Sequence, residues 1–427
     1  MVVGNSGILA DAEIILHIGA PKTGSSAVQK DFSQNQDALA LSGYYYPPHE
    51  LDPNGISGGH WQIASLLNEG NVGAVRDKIC NYLLQARAVG CKLLLSAEGF
   101  FTHPDLLTVA LVDFKYVVVS FYRHPLDSFR SSYNQDVKRH FYSQTIQTFS
   151  MSQACLKPAI TGESLLRWAE LAGPQRVVVL PYHDQAASDA TGALSSFLGI
   201  QLSCRGQRIN LSYTPCAVEF KRVLNSILNP LEQHLNGQVD FALQKYSDAV
   251  SPPRPSLEQL LGKECLRLLE DKYAPIVARI SEVFGISVSH GQELDVGNHY
   301  ESIDLVWAFV AKAPELGDYI RDCVFHALKS GDFSYDFLQL CRWVDLPFDA
   351  LPFERRQLMR PEDLAASLDR SAQLADVYRE LSKILERAGD YASALAIADR
   401  ALGLRPDGPY LQLMVKRLKS VSESSSR

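Results

Sequence analysis

Apolar and polar positions change period several times along the first half of the chain. Ile14–Ile18 is an apolar run interrupted only by His17 and predicts a buried strand. Gly19–Gly24 follows as a tight loop. Ser25 and Ser26 then open a helix to about Leu41, with Val28 and Phe32 on one face. Gly43 ends that helix, and Tyr46-Pro47-Pro48 leaves it extended. Residues 51–59 carry Pro53, Gly55, Gly58 and Gly59, which predicts a mobile loop. Helical spacing returns over His60–Leu67 and Val75–Val89. Lys92–Ser96 is a short β-run and Tyr116–Tyr122 a stronger one. Pro125 stands where a helix begins, with Leu126, Phe129, Tyr133 and Val137 as its apolar stripe. A fourth strand, Arg176–Leu180, is expected to stop at Pro181. Strands interleaved with helices predict an α/β fold built on a parallel sheet.

From about Pro215 helices dominate, and Leu257–Phe284 is the longest periodic stretch. Residues 285–300 are polar and glycine-bearing, so a boundary is expected there, between domains spanning 1–290 and 300–427. Beyond it the pattern is helical: Ile303, Val306, Trp307 and Val310 first, then Tyr319–Lys329 and Phe337–Val344. Near the end, Ala375–Arg387 and Ala392–Leu404 flank Gly389-Asp390-Tyr391. Leu381, Gly389, Tyr391, Ala394, Ala398, Ala401 and Pro406 fall where a tetratricopeptide repeat (TPR) of about 34 residues places its packing residues. An unrelated helical hairpin would also account for them. One repeat cannot stand alone, so residues 300–374 would have to supply neighbouring pairs, and Tyr410–Leu418 a further helix or cap. Such a tail could dock a protein partner.

The chain has 427 residues, 46% of them hydrophobic and 21% charged, as in ordinary globular proteins. Its net charge of −7 argues against general nucleic-acid binding, so an anionic ligand must meet a local basic cluster. The 8 cysteines form no CxxC pair, which predicts buried free thiols in a reducing compartment rather than a zinc ribbon. No apolar run has the length of a membrane span and no signal-peptide pattern opens the chain. The expected location is cytoplasmic.

The predicted strand–loop–helix at the start makes an anion site, because free backbone N–H groups and the positive helix end face the loop. Lys22, Thr23, Ser25 and Ser26 add an ammonium and three hydroxyls. A nucleoside-triphosphate P-loop would place Lys-Ser/Thr directly after its second glycine. Here Gly19 and Gly24 have that spacing, but Ser25 comes next and Lys22 lies inside the loop. Further along, Arg123 closes the strongest strand, and Ser131 sits two turns into the next helix. A guanidinium and a hydroxyl so placed can grip one phosphate together. Arg123 could instead neutralise Asp127 or Asp136.

Pro21-Lys22-Thr23-Gly24-Ser25-Ser26 resembles the 5′-phosphosulfate loop of sulfotransferases that use 3′-phosphoadenosine-5′-phosphosulfate (PAPS). Arg123 and Ser131 resemble the pair with which that family grips the 3′-phosphate. Gln29, Asn35, Leu39, Gly43, Tyr46, Pro47, Tyr133, Gln135, Lys138, Val177–Tyr182, Ser195–Ile200 and Asn210–Ser212 extend the likeness over roughly residues 12–285. The family's later Arg-Lys-Gly-type loop is not evident, with Arg205 or Arg208 as substitutes. The resemblance implies a soluble, bacterial-type sulfotransferase with a P-loop-like parallel sheet flanked by helices. PAPS would be the sulfuryl donor, and no metal is required. Pro21, Lys22, Thr23, Gly24, Ser25, Ser26, Arg123 and Ser131 would bind the donor, and Lys22 would neutralise the leaving oxygen.

The acceptor, a hydroxyl or amine and foremost that of a carbohydrate, needs a general base. Glu98 is the first candidate, since it follows a strand end beside Phe100 and Phe101, and apolar neighbours raise a carboxyl pKa. His60 is the second, and His103 the third. Segments 47–60, 139–162 and 229–256 would shape the acceptor pocket, where Tyr44, Tyr45, Trp61, Phe141 and Tyr142 could stack on sugars. Two other readings stay open: a P-loop kinase or NTPase, and a catalytically silent scaffold acting through its helical tail.

Overall fold

In a computed structural model the chain is described over residues 5–49, 58–182, 189–202, 212–250, 255–291, 301–330, 335–344, 374–387 and 390–424. It divides into two compact units, Met1–Pro347 and Phe348–Arg427. In the first, β1 (Ile14–His17), β2 (Tyr44–Tyr45), β3 (Lys92–Ser96), β4 (Tyr116–Arg123) and β5 (Val177–Tyr182) form one sheet. Its order is β2-β3-β1-β4-β5, and every pairing is parallel. Ile14 pairs with Leu93 on one side and Tyr116 on the other.

Both sheet faces are covered, which is why the strands read as nearly unbroken apolar runs. On one face Ile14, Leu16, Leu93, Leu95 and Val118 pack with Ile63, Ile79, Leu83 and Trp168. On the other, Ile15, Leu94, Val117, Val119 and Phe121 pack with Val28, Phe32, Leu194 and Leu198. The helix Pro125–Arg139 buries Leu126, Phe129, Tyr133 and Val137 against Phe149, Leu257, Leu269 and Tyr273.

The structure departs from the sequence reading in several places. β2 was not anticipated; two residues carry no periodicity. The first long helix breaks at Asn35 into Ser25–Gln34 and Gln36–Leu41. The Asn35 amide donates to Asp31 O at 2.8 Å, a side-chain bond that competes with helix continuation. Leu257–Phe284 is likewise two helices, parted at Gly262, whose φ is +77°. β5 runs through Pro181 to Tyr182, because a sheet-edge strand tolerates a residue without an N–H.

The unit division also falls later than 285–300. Helices Ile303–Val310, Pro314–Ser330 and Tyr335–Trp343 belong to the first unit. Trp307 and Trp343 both pack 6.3 Å from the Phe220 ring, and Arg222 reaches Asp336 at 2.8 Å. The helices after the polar stretch pack on Phe220 and Arg222 of the same unit.

The second unit contains Leu374–Arg387, Tyr391–Leu404 and Pro409–Ser424. Ala394, Ala398 and Ala401 are fully buried, so neighbouring helices approach closely over small side chains. Ser382 donates to Ala394 O at 2.7 Å, and Asp376 pairs with Arg405 at 3.1 Å. Gly389 of the expected repeat lies outside the described residues. Among the described residues, no helix is long and apolar enough to cross a membrane.

Candidate functional site

In the strand order, β1 stands between β3 and β4, so the chain crosses from one side of β1 to the other. Open parallel sheets leave a crevice at such a point, beyond the strand C-termini. Three chain segments open onto it: the loop after β1, the turn after β3 and the end of β4.

The first carries residues 19–26. A side chain at Gly19 would stand 2.6 Å from Ser25 Oγ, so only glycine lets the loop fold back on the helix start. Gly24, at φ +82°, is the N-cap of Ser25–Gln34 and has no side chain to cap it. No acidic residue lies in the first turn, so the polarity there suits an anion. Thr23 and Ser25 donate their hydroxyls to Ala20 O at 2.6 and 3.3 Å, which holds the loop closed. Pro21 precedes Lys22, whose φ is +65°, a left-handed conformation that lysine seldom adopts. That twist carries its ammonium to Gln135 Oε1 at 2.8 Å. Burial pulls the Lys22 pKa down; Glu98 opposes the fall, while Arg123 and Arg139 reinforce it.

The second segment is the turn Glu98–Phe100. Glu98 Cγ lies 3.5 Å from where a Gly19 side chain would begin, so its side chain borders the loop of residues 19–26. The residue as a whole is exposed, yet protein crowds its carboxylate. The crowding governs its ionisation: burial raises its pKa and the Lys22 charge pulls it partly back. Acid and ammonium thus move toward each other's range.

Arg123, at the end of β4, donates from Nη1 to Lys22 O at 3.2 Å and lies 5.7 Å from the Tyr182 ring. Tyr182 also approaches the Gly24 position, so β5 buttresses the loop. Arg123 and Ser131 both line a cavity of about 460 Å³, along with Arg130, Asn134, Tyr213 and Glu219. Asp127 is held by His290 at 2.8 Å and by the Gly291 N–H at 3.3 Å; Asp136 lies 4.0 Å from Lys157.

His60 stands apart from this group. It is buried; one ring nitrogen, Nδ1, faces the Ser96 N–H at 3.0 Å, and Nε2 faces Pro47 O at 3.1 Å. Both nitrogens being held by backbone, the ring pins residues 47 and 60 to the end of β3. Burial lowers its pKa to about 4. Gly59, at φ +60°, presses so close that a methyl there would overlap Ser96 O. Ser96 Oγ meets His17 Nδ1 at 2.8 Å, so the strand end that carries Glu98 is fixed from two sides. His103 Nδ1 meets Gly99 O at 2.8 Å within its own turn. Arg205 and Arg208 lie outside the described residues.

Of the aromatic candidates, Tyr44 is buried and bonded to Leu198 O, and Tyr142 packs on Phe149. Trp61 is 49% exposed. Gln135 was noted in the sequence only through the resemblance. It stands one turn past Ser131, so i,i+4 spacing was the available signal.

No family model matches the chain, and no curated protein matches it. Among solved structures, the chain is similar to a sulfotransferase from Alicyclobacillus acidocaldarius at 13% identity and a TM-score of 0.36. The match covers 64% of this chain and 96% of that one.

Proposed function

We propose that the first unit is a sulfotransferase that moves a sulfuryl group from PAPS to an acceptor hydroxyl or amine, a carbohydrate hydroxyl foremost. The observation that carries this reading is the convergence at one crevice of three features. They are an uncapped helix start, a half-buried ammonium inside the loop and a crowded carboxylate beside it.

In this reading the backbone of residues 21–26 and the hydroxyls of Thr23, Ser25 and Ser26 cradle the 5′-phosphate. Arg123 and Ser131 hold the 3′-phosphate at the cavity mouth. Lys22 neutralises charge on the oxygen that leaves sulfur, and Glu98 takes the acceptor proton as the new S–O bond forms. The bisphosphate PAP departs. Glu98 fills the base role rather than His60, whose ring nitrogens both face backbone. The helical second unit would serve as a TPR-like partner-docking element.

Calorimetry with PAP against ATP–Mg²⁺ tests the donor, and transfer from labelled PAPS into a mixed glycan extract tests the reaction. Binding of PAP with little affinity for ATP–Mg²⁺, and label entering glycans, is the expected result. Preference for ATP–Mg²⁺ would return the kinase reading.

A further inference from the structure

One turn past Gln135, the same helix presents Lys138, which is only 8% exposed. A lysine so buried ordinarily pairs with a carboxylate. Among the described residues Lys138 has none within ion-pair distance. Its ammonium donates to Gln244 Oε1 and stands 4.7 Å from the centre of the Tyr213 ring. Gln244 cannot turn away, because its Nε2 is committed to Asp248 at 2.8 Å. Asp240, the nearest acid by charge influence, is engaged by Lys221 at 3.1 Å and by the Tyr213 hydroxyl.

Lys22 repeats part of the arrangement: half-buried, it is held by the neutral amide of Gln135. Two ammoniums, each on an amide, thus lie along one face of one helix. An ammonium has three hydrogens; Gln244 takes one from Lys138 and the Tyr213 ring covers another side. The group keeps capacity for an anion, and its surroundings supply no competing carboxylate contact.

Resting on the sulfotransferase reading, we propose that Lys138 is the acceptor's anion subsite. It would bind a carboxylate or sulfate carried by the acceptor near the hydroxyl that receives the sulfuryl group. Acceptors of this enzyme are then acidic glycans rather than neutral ones. Burial holds the Lys138 pKa down near 8, with Arg139 and Lys22 adding to the fall and Asp240 and Asp248 opposing it. An anion in contact raises that value, and raising the pH through 8–9 weakens the anion's hold.

The test is NMR of the full chain with ¹³Cε-labelled lysine, the Lys138 signal being assigned by Lys138→Arg. The probes are inorganic sulfate, methyl glucuronide and methyl glucoside, each with saturating PAP and without it. Sulfate should shift the Lys138 signal saturably and move its titration midpoint upward. Methyl glucuronide should compete and methyl glucoside should not. Lys138→Gln should weaken sulfate binding about tenfold or more, as loss of a charge-assisted contact does, while Lys138→Arg retains it. A sulfate response confined to Lys22, or equal competition by both glycosides, would overturn the subsite. Failure of PAP to bind sinks the donor reading instead, and is read separately from the Lys138 response.

Discussion

Lys22 does two things at once, and two substitutions separate them. Its φ of +65° places a non-glycine residue in the left-handed region, where a β-carbon costs about 1–2 kcal/mol. Lys22→Ala and Lys22→Gly both remove the ammonium and its bond to Gln135. They differ in the β-carbon and in glycine's extra freedom when unfolded. Left-handed relief of about 1–2 kcal/mol, less an unfolded-state loss of about 0.5–1 kcal/mol, leaves Lys22→Gly more stable by about 0.5–1 kcal/mol. In a unit of this size that is about 1–2 °C in thermal midpoint. Both variants should lose transfer from PAPS by at least about a thousandfold if the ammonium neutralises the leaving oxygen. Differential scanning calorimetry and a labelled-PAPS assay read the two effects. A variant pair of equal stability would refute the strained loop. Wild-type turnover in either variant would refute the role of the ammonium.

Other outcomes follow from the same geometry. If Glu98 acts ionised as the base and Lys22 protonated, as proposed, then burial, which moves the first pKa up and the second down, should give a rate profile that is a bell narrowed on both limbs; Glu98→Gln should lower kcat about 10²–10⁴-fold and abolish the acid limb, and persistence of that limb would assign the base elsewhere. Arg123→Ala should weaken PAP about tenfold or more by calorimetry yet leave adenosine 5′-phosphosulfate, which lacks the 3′-phosphate, unchanged; equal losses for both would remove Arg123 from the 3′ end. His60 folds neutral, with its pKa depressed from 6.5 to about 4, so the stability it supports is full above 6.5 and declines as pH falls toward 4. That window is worth about 3 kcal/mol. His60→Gln should flatten it in urea titrations and leave the acid limb of the rate in place.

Much of the fold was legible where burial is two-sided. Ile14–Leu16 and Tyr116–Val119 are apolar at successive positions because helices cover both faces of the sheet. Pro125 marked its helix start to the residue, since its fixed φ and missing N–H suit that position. Asn35 and Gly262 show the limit: a periodic apolar stripe continues across a break made by one side-chain bond or one left-handed residue. The polar residues 285–300 suggested a domain boundary because local polarity says nothing about where Trp307 packs. The loop and the helix start after it were readable from residues 22–25, which are contiguous. The Lys22–Gln135 contact spans 113 positions, and no local pattern encodes it. The surroundings of His60 were hidden for a related reason. The backbone atoms that occupy its nitrogens come from residues 47 and 96, and only the folded chain brings them together.

A crystal structure of the full chain with PAP bound would decide the matter. The account predicts the 5′-phosphate on the amides of residues 21–26 with Lys22 Nζ in contact, and the 3′-phosphate between Arg123 and Ser131. Nucleotide seated elsewhere, or a vacant loop with the Lys22 amine still on Gln135, would contradict it.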